Sequence, residues 1–264
     1  MNALIFTDSR GEHKQSFFRK KIFTEKICKY FEEKNISCDI MLCPFKWTTT
    51  IDFIQCIEEK HINPDKYNII ILFTGVVEYS PRPLSNFNEA YYKNNERMSF
   101  NRLILNRSHK IANNKRNFFM KFFDENNLNF KNYDIQYKGE NTRSLISINM
   151  HEKVVIPYLQ KYNEKLIFIN SNKIVKDWEG DYLKANPIGR PKNINIINEF
   201  ASINRNKFTN FVDLLSWDEN DIKKYTIDNM HLTYDGSEYI FKEIIKIFEN
   251  SPFYNKEPTT QGNN

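Results

Sequence analysis

The sequence predicts an α/β fold in which a parallel sheet of about five strands carries helices on both faces. Short apolar runs bounded by turn residues alternate along the chain with segments whose apolar residues recur at helical spacing. The length of the apolar runs is typical of buried strands. Because strands that alternate with helices pair in parallel through crossover connections, this order favours a sheet covered on both sides.

The predicted strands are spread over most of the 264 residues. They cover residues 3–6, 38–43, 68–73, 165–170 and 208–215. A chain of this length can bury one sizeable core, and an α/β fold can use most of it as a single domain. We therefore predict one domain over residues 1–250.

The helical patterns lie between and after these strands. They cover residues 18–31, 51–57, 154–162, 194–203 and 237–248. Thr48, Thr49 and Thr50 precede the second pattern and are candidates for its N-cap, because a threonine hydroxyl can accept a hydrogen bond from a free N–H of the first turn.

Two segments depart from the alternation. Residues 84–150 are rich in Asn, Lys, Arg and aromatic residues, and they predict a helical insertion between the third and fourth strands. An insertion after the C-terminal end of a strand overhangs the edge where ligands bind, so it is a candidate lid or acceptor-binding element. The alternative is that its helices pack on their own aromatic residues. Residues 251–264 lack periodicity and predict a flexible tail.

The charge balance argues against nucleic acid as a partner. The chain has 38 basic and 33 acidic residues and a net charge of +5, which describes a mixed surface. Its densest basic cluster, residues 19–21, falls within an amphipathic helical pattern and not on a separate basic patch.

The sequence is typical of a cytoplasmic protein. No apolar run approaches the ~20 residues of a membrane span, and the N-terminal residues lack the pattern of a signal peptide. Cys28, Cys38, Cys43 and Cys56 do not have metal-ligand spacing, so we expect reduced and mostly buried thiols.

Three residues at opposite ends of the chain are candidates for catalysis. Ser9 follows the first predicted strand, and Asp228 and His231 lie three residues apart before the last helix. An aspartate so placed can hold the imidazole in one tautomer and leave its second nitrogen free to act as a general base for a serine. Taken singly, Ser9 is more typical of a helix N-cap than of a nucleophile, and Asp228 and His231 are more typical of polar surface loops.

Three short motifs occur together in an order that adds to this hypothesis. They are "TDSRG" at residues 7–11, "FTGVVEYSPRP" at 73–83 and "DNMH" at 228–231. In order, spacing and strand context they resemble the SGNH, or GDSL, hydrolase superfamily over about residues 3–249. The resemblance implies a flavodoxin-like three-layer sandwich, a Ser9–His231–Asp228 triad, an oxyanion site that includes Gly75, and no metal or organic cofactor.

The sequence departs from the superfamily at two positions. The segment after the second strand, "LCPFKWTTT", lacks the usual glycine, and Val77 stands where the usual asparagine is expected. The loss of one oxyanion donor costs on the order of 10² to 10³ in rate. A catalytically weak binding module is therefore an alternative.

The motif "GVVEYSPRP" also resembles a branch of SGNH-like proteins associated with bacterial surface polysaccharides. Glu78 stands where that branch tends to have aspartate, and Arg82 lies between two prolines that restrict its loop. Arg82, Arg10 and Glu78 are candidates for the oxyanion or substrate-binding site, and the two guanidinium groups can bind an anionic substrate group or an oxyanion. An equally acceptable role for Arg82 is a structural ion pair with Glu78.

These motifs lead us to expect a serine esterase or O-acyltransferase that acts on an O-acyl group of a carbohydrate or glycoconjugate. The expected partner is a small-molecule or glycan substrate. The alternatives are a binding module that docks a glycan or a partner enzyme of polysaccharide assembly, and a transferase for an anionic sugar substrate.

Overall fold

The computed structural model describes residues 1–11, 22–42, 48–83, 85, 98–102, 107–111, 115–123, 133–176, 178 and 195–251. The strands are β1 (Asn2–Thr7), β2 (Ser37–Leu42), β3 (Ile69–Phe73), β4 (Arg82–Pro83), β5 (Met98–Arg102), β6 (Arg107–Ile111), β7 (Tyr133–Tyr137), β8 (Glu140–Arg143), β9 (Leu166–Ile169) and β10 (Asn210–Val212).

The α-helices are α1 (Phe23–Glu33), α2 (Thr50–Glu58), α3 (Val76–Tyr79), α4 (Lys115–Phe123), α5 (Ile148–Met150), α6 (Ile156–Gln160), α7 (Ile196–Asn204), α8 (Glu219–Tyr225) and α9 (Tyr234–Glu249). A π-helical turn, His151–Val155, joins α5 to α6. Short 3-10 turns cover Ser9–Gly11, Pro64–Lys66 and Leu214–Ser216.

The main sheet confirms the predicted parallel α/β architecture. Its strand order is β10-β9-β3-β1-β2-β5-β6, and the first five of these strands are parallel. The register pairs Thr7 of β1 with Leu42 of β2 and with Phe73 of β3. The three central strands therefore end at the same edge of the sheet, which brings the segments that follow them together.

Each face of the sheet is covered by its own hydrophobic core. Along β1, Leu4 and Phe6 belong to one core, while Ala3 and Ile5 belong to the other. This division follows from the alternation of side chains along a strand. Residues of α2, α6 and α7 fill the first core, and residues of α1, α8 and α9 fill the second. The result is a three-layer sandwich of helices, sheet and helices.

Four of the five predicted strands differ from the structure only by one or two residues at their ends. The fifth, β10, is much shorter than predicted. The run 208–215 is a strand only from Asn210 to Val212, and a 3-10 turn follows from Leu214 to Ser216. Of the three candidate caps, Thr49 is the N-cap of α2. Its hydroxyl accepts a hydrogen bond from the N–H of Asp52 at 3.2 Å, and Asp52 Oδ2 accepts one from the N–H of Thr49 at 2.8 Å.

The insertion predicted as helical at 84–150 is not formed by helices alone. The described part contains helix α4 but also the strands β5 to β8. Strands β5 and β6 extend the main sheet as an antiparallel pair, and β4, β8 and β7 form a second sheet. A Lys138–Gly139 turn joins β7 to β8, with φ of +52° and +80°. Positive φ at both central residues is typical of a tight β-hairpin, a signal that the aromatic and charged composition obscured.

Three of the four cysteines lie in the described residues, and all three are buried: Cys28, Cys38 and Cys56. The Sγ atoms of Cys28 and Cys38 are 2.8 Å apart. This sulfur–sulfur hydrogen bond, together with burial, raises the pKa of Cys38 above its ordinary value. Cys43 and the tail 252–264 lie outside the described residues.

Among the described residues, no helix has the length and apolar character needed to cross a membrane.

Candidate active site

The candidate nucleophile lies on a tight turn at the end of β1. The N–H of Asp8 donates to the carbonyl of Phe73 at 3.0 Å, so the turn begins where β1 and β3 separate. A 3-10 turn then covers Ser9–Gly11. A Cβ on Gly11 would lie 2.2 Å from Cγ2 of Thr7, so a larger residue would require the Thr7 side chain or the turn to shift. The turn leaves Ser9 half-buried at the C-terminal edge of the sheet.

A buried ion pair between Asp8 and Arg10 stabilises this turn. The Nε and Nη2 groups of Arg10 donate to the Asp8 carboxylate at 2.8–3.1 Å, and the N–H of Arg10 donates to Asp8 Oδ1 at 2.9 Å. The guanidinium also lies 3.8 Å from the ring centroid of Phe73. Both side chains are at most 2% exposed. Arg10 therefore orders the backbone around Ser9.

Backbone contacts join the two ends of the loop that carries Asp228 and His231. Thr226 and Leu232 form an isolated antiparallel bridge, and the N–H of Ile227 donates to the carbonyl of His231 at 2.7 Å. Thr233 then ends the loop as the N-cap of α9, and its hydroxyl accepts from the N–H of Gly236 at 3.1 Å. The start of the long helix α9 thus fixes one end of the loop.

Within this loop, Asp228 is the acceptor for three donors. Its Oδ1 accepts from the N–H groups of Met230 and His231 at 3.1 and 2.7 Å, and its Oδ2 lies 2.7 Å from Nδ1 of His231. Asp228 is 1% exposed. A carboxylate buried to this degree can accept but not donate while it is ionised, so the short contact assigns the proton to Nδ1 of His231.

Ser9 lies on the other side of the same imidazole. Its Oγ is 3.3 Å from Nε2 of His231, across 222 positions in the sequence. With the proton on Nδ1, Nε2 is the acceptor and the serine hydroxyl is the donor. The structure thus brings together Ser9, His231 and Asp228, the three residues that the sequence singled out, in one continuous hydrogen-bonded chain.

Gly75 lies two residues after β3 and has a conformation that favours glycine. Its φ is +118°, and a Cβ would lie 2.7 Å from the ring of Tyr79. The next residues form the short helix α3, in which Val77 is buried. The apolar side chain of Val77 has no hydrogen-bond donor to offer.

Glu78 lies in the interior, where Thr50 supplies the hydrogen bonds that water would otherwise donate to its carboxyl group. It is fully buried, and both the N–H and the hydroxyl of Thr50 donate to its Oε1. The Thr50 hydroxyl also lies 2.8 Å from that of Thr74. Burial raises the pKa of Glu78 from its ordinary value of 4.5 to about 7, the Thr50 hydrogen bonds oppose this rise, and the Asp8 charge adds to it. Glu78 therefore joins the start of α2 to the Gly75 turn.

Arg82 begins strand β4 and is partly buried. Its register partner in the second sheet is Arg143 of β8, a residue that the sequence patterns did not single out. Two further hydrogen bonds attach this region to α3: the hydroxyl of Ser144 donates to the carbonyl of Tyr79 at 2.7 Å, and the N–H of Leu145 donates to that of Glu78 at 2.9 Å. The second sheet thus lies directly after the Gly75 turn.

The sequence reasoning missed a group of polar residues after β9. Asn170, Ser171 and Asn172 are each at most 1% exposed. Ser171 Oγ lies 3.4 Å from the position that a Cβ on Gly75 would take, and Asn172 contacts the Asp228–His231 loop. The run "NSN" directly after an apolar strand was the available signal, since polar residues at such a strand end point towards the ligand edge of a parallel sheet.

No group of three or more His, Cys, Asp or Glu side chains among the described residues is arranged to hold a metal ion.

Comparisons with known proteins give fold neighbours at low similarity. No protein-family model matches the sequence, and no curated protein matches it either. Among solved structures, the chain is similar to an acetyl xylan esterase, with 14% identity, a TM-score of 0.47, and coverage of 93% of this chain and 98% of the other. It is also similar to a lipase/acylhydrolase from Enterococcus faecalis, with 12% identity, a TM-score of 0.48, and 93% coverage of both chains. Similarity at this level does not identify the function of the chain.

The buried carboxyl of Glu78 predicts a pH-dependent stability. In the unfolded chain it loses its proton near pH 4.5, whereas in the folded protein it keeps the proton until about pH 7. The folded state therefore binds more protons between these values, and stability falls as the pH rises through this window. The shift corresponds to about 3 kcal/mol of unfolding free energy.

The measurement is urea unfolding of the wild type and Glu78→Gln between pH 4 and 8. Gln keeps an oxygen for the Thr50 donors but does not titrate, so the stability of the wild type relative to this variant should fall as the pH rises. Glu219→Gln, on the exposed surface of α8, is the control and should follow the wild type. Parallel curves for wild type and Glu78→Gln would contradict the proposed protonation of Glu78.

Proposed function

We propose that this protein is an SGNH-type serine esterase or O-acyltransferase that removes or transfers an O-acyl group of a carbohydrate or glycoconjugate. The observation that supports this most directly is the hydrogen-bonded chain from Ser9 Oγ through His231 to Asp228, with contacts of 3.3 and 2.7 Å. A serine, a histidine and a buried carboxylate in this order are the parts required for acyl transfer through a covalent intermediate.

The proposed reaction begins with attack of Ser9 Oγ on the acyl carbonyl. His231 Nε2 takes the hydroxyl proton as the new C–O bond forms, and Asp228 stabilises the resulting imidazolium. Collapse of the tetrahedral intermediate breaks the ester bond, and His231 returns the proton to the leaving alcohol. Water, or the hydroxyl of a second sugar, then attacks the acyl-serine, with His231 again accepting a proton and returning it to Ser9.

The backbone N–H groups of Ser9 and Gly75 are the proposed donors to the oxyanion. Val77 supplies no side-chain donor in place of the usual asparagine, so Arg82 is proposed as an auxiliary donor or as the binding group for a substrate anion. The preference for carbohydrate follows from the resemblance of "GVVEYSPRP" to the polysaccharide-associated branch.

A binding module is the second candidate, and Val77 is the residue that favours it. Without the asparagine donor, a serine site of this kind loses on the order of 10² to 10³ in rate. In that case, the same edge of the sheet would bind a glycan or a partner enzyme of polysaccharide assembly and would catalyse no reaction.

Replacing Ser9 separates these two candidates. In Ser9→Ala, we expect hydrolysis of a short-chain aryl acetate to fall by at least about 10³-fold, because the nucleophile is lost. The melting temperature should change little, since the hydroxyl makes no core contact. Ser202→Ala, on the exposed surface of α7, removes a comparable hydroxyl away from the site and should keep full activity. Activity that survives in Ser9→Ala excludes the nucleophile, and a wild type without turnover favours the binding module.

Arg82→Gln tests the proposed role of the guanidinium. With an anionic acyl substrate we expect kcat/KM to fall roughly tenfold or more, as for a lost hydrogen bond to a charged group. A fall in kcat indicates support of the transition state, whereas a rise in KM that weakens with added salt indicates a clamp on a substrate anion. Arg205→Gln removes an exposed guanidinium and is the control. If neither constant moves in Arg82→Gln, Arg82 has no role in the reaction.

A further inference from the structure

The loop that carries Asp228 and His231 is fastened to the segment after β9 by two asparagines. Asn172 is 1% exposed, and its Nδ2 donates to the carbonyl of Asn229 at 2.8 Å. Asn229, which is 5% exposed, lies between Asp228 and His231 in the sequence. These contacts join segments 57 positions apart, next to the proposed acid–base pair.

The side chain of Asn229 completes this attachment. Its Oδ1 accepts from the N–H of Val175 at 2.8 Å, and its Nδ2 donates to the carbonyls of Val175 and Trp178 at 3.1 and 2.5 Å. One amide thus satisfies three backbone groups of Val175 and Trp178, two residues that lie outside the helices and strands. Val175 and Trp178 are partly buried, and backbone groups shielded from water need partners, so the Asp228–His231 loop and the segment after β9 hold each other in place.

The backbone of Asn229 has a second role in the loop. Its φ is +69°, in the left-handed region that asparagine tolerates better than most residues with a Cβ. This conformation reverses the chain between Asp228 and His231 and allows Asp228 Oδ1 to accept from the N–H groups of Met230 and His231. Asn229 therefore shapes the loop through its backbone and anchors it through its side chain.

The segment after β9 is itself firmly anchored. The N–H of Asn170 donates to the carbonyl of Val212, and its Nδ2 donates to the carbonyl of Ala201, both at 2.9 Å. Ser171, the next residue, packs beside Gly75, with its Oγ 3.4 Å from the position of a Cβ there. The segment that holds the acid–base loop is thus also the neighbour of the proposed oxyanion donor.

We propose that Asn172 and Asn229 are positioning residues. Their hydrogen bonds, called the clasp below, attach the Asp228–His231 loop to the segment after β9 and so set the distance from His231 Nε2 to Ser9 Oγ. The consequence for activity rests on the proposed function, whereas the placement of the imidazole does not. Since a misplacement of about 1 Å can cost about 10²-fold in rate, loss of the clasp should reduce turnover more than substrate binding.

Asn229→Gly is the sharpest variant, because glycine accepts the positive φ and removes all three side-chain hydrogen bonds. With an aryl acetate we expect kcat to fall about 10- to 100-fold and KM to stay within about threefold. Asn172→Ala removes the other half of the clasp and should give a similar loss. The double variant should be little worse than either single variant, because both remove one shared attachment.

The control is Asn35→Gly. Asn35 also has a positive φ, +58°, and is exposed after helix α1, so this substitution makes the same chemical change away from the site. It should leave kcat, KM and the melting temperature close to those of the wild type.

The position of the imidazole can be measured without an enzyme assay, so the clasp can be tested even if the proposed function is wrong. Proton and nitrogen NMR of the His231 imidazole reports the Nδ1–H···Asp228 hydrogen bond and its tautomer. In Asn229→Gly and Asn172→Ala, we expect the Nδ1 proton signal to broaden or move upfield, and the pH profile of kcat/KM to shift with it.

The outcomes decide the proposal as follows. A wild-type imidazole signal and wild-type kcat in a folded Asn229→Gly overturn the clasp. If the wild type has no esterase activity, the proposed function fails, but an imidazole signal that changes in the variants still supports the clasp and an unchanged one overturns it. If Asn229→Gly does not fold, the same two readouts on Asn172→Ala decide.

Discussion

The buried carboxylate of Asp228 is the constraint on which the candidate site depends. A carboxylate that is 1% exposed is stable only where donors replace water, and here two backbone N–H groups and the Nδ1 of His231 do so. These three donors belong to two residues, Met230 and His231, that lie two and three positions after Asp228, so satisfying the charge also folds the loop. The same hydrogen bonds orient His231 towards Ser9, so that placing the imidazole follows from burying the carboxylate.

A buried ion pair orders the backbone around Ser9, as the buried carboxylate of Asp228 orders the loop around His231. The bidentate pair of Asp8 and Arg10 flanks Ser9, and its guanidinium lies on the ring of Phe73 at the end of β3. In the sequence, Arg10 is a candidate for binding a substrate group, and its ion pair with Asp8 is not visible there. Sequence cannot distinguish a solvated arginine from one that is buried against a neighbouring carboxylate, because that depends on how β1 and β3 pair.

The sheet and the proposed triad were predictable from sequence because both leave local signals. Apolar runs such as 68–73 become strands because they bury both faces, and a motif such as "DNMH" places Asp228 and His231 on one loop. The hairpins of the insertion were missed because strands such as Tyr133–Tyr137 carry polar residues and lie outside the apolar alternation. The contact between Asn172 and Asn229 was missed for another reason. The two residues meet only in the folded chain, and an asparagine in a sequence is more typical of an exposed turn than of a buried network.

The central claim is that Ser9 is a nucleophile activated by His231, and covalent labelling tests it most directly. Incubation with a serine-directed organophosphorus reagent, followed by peptide mass spectrometry, locates the adduct. We predict one adduct on Ser9 in the wild type, formed at least about tenfold more slowly in His231→Ala, because the base that takes the hydroxyl proton is lost. An unlabelled Ser9, or equal labelling rates in the wild type and His231→Ala, would contradict the account.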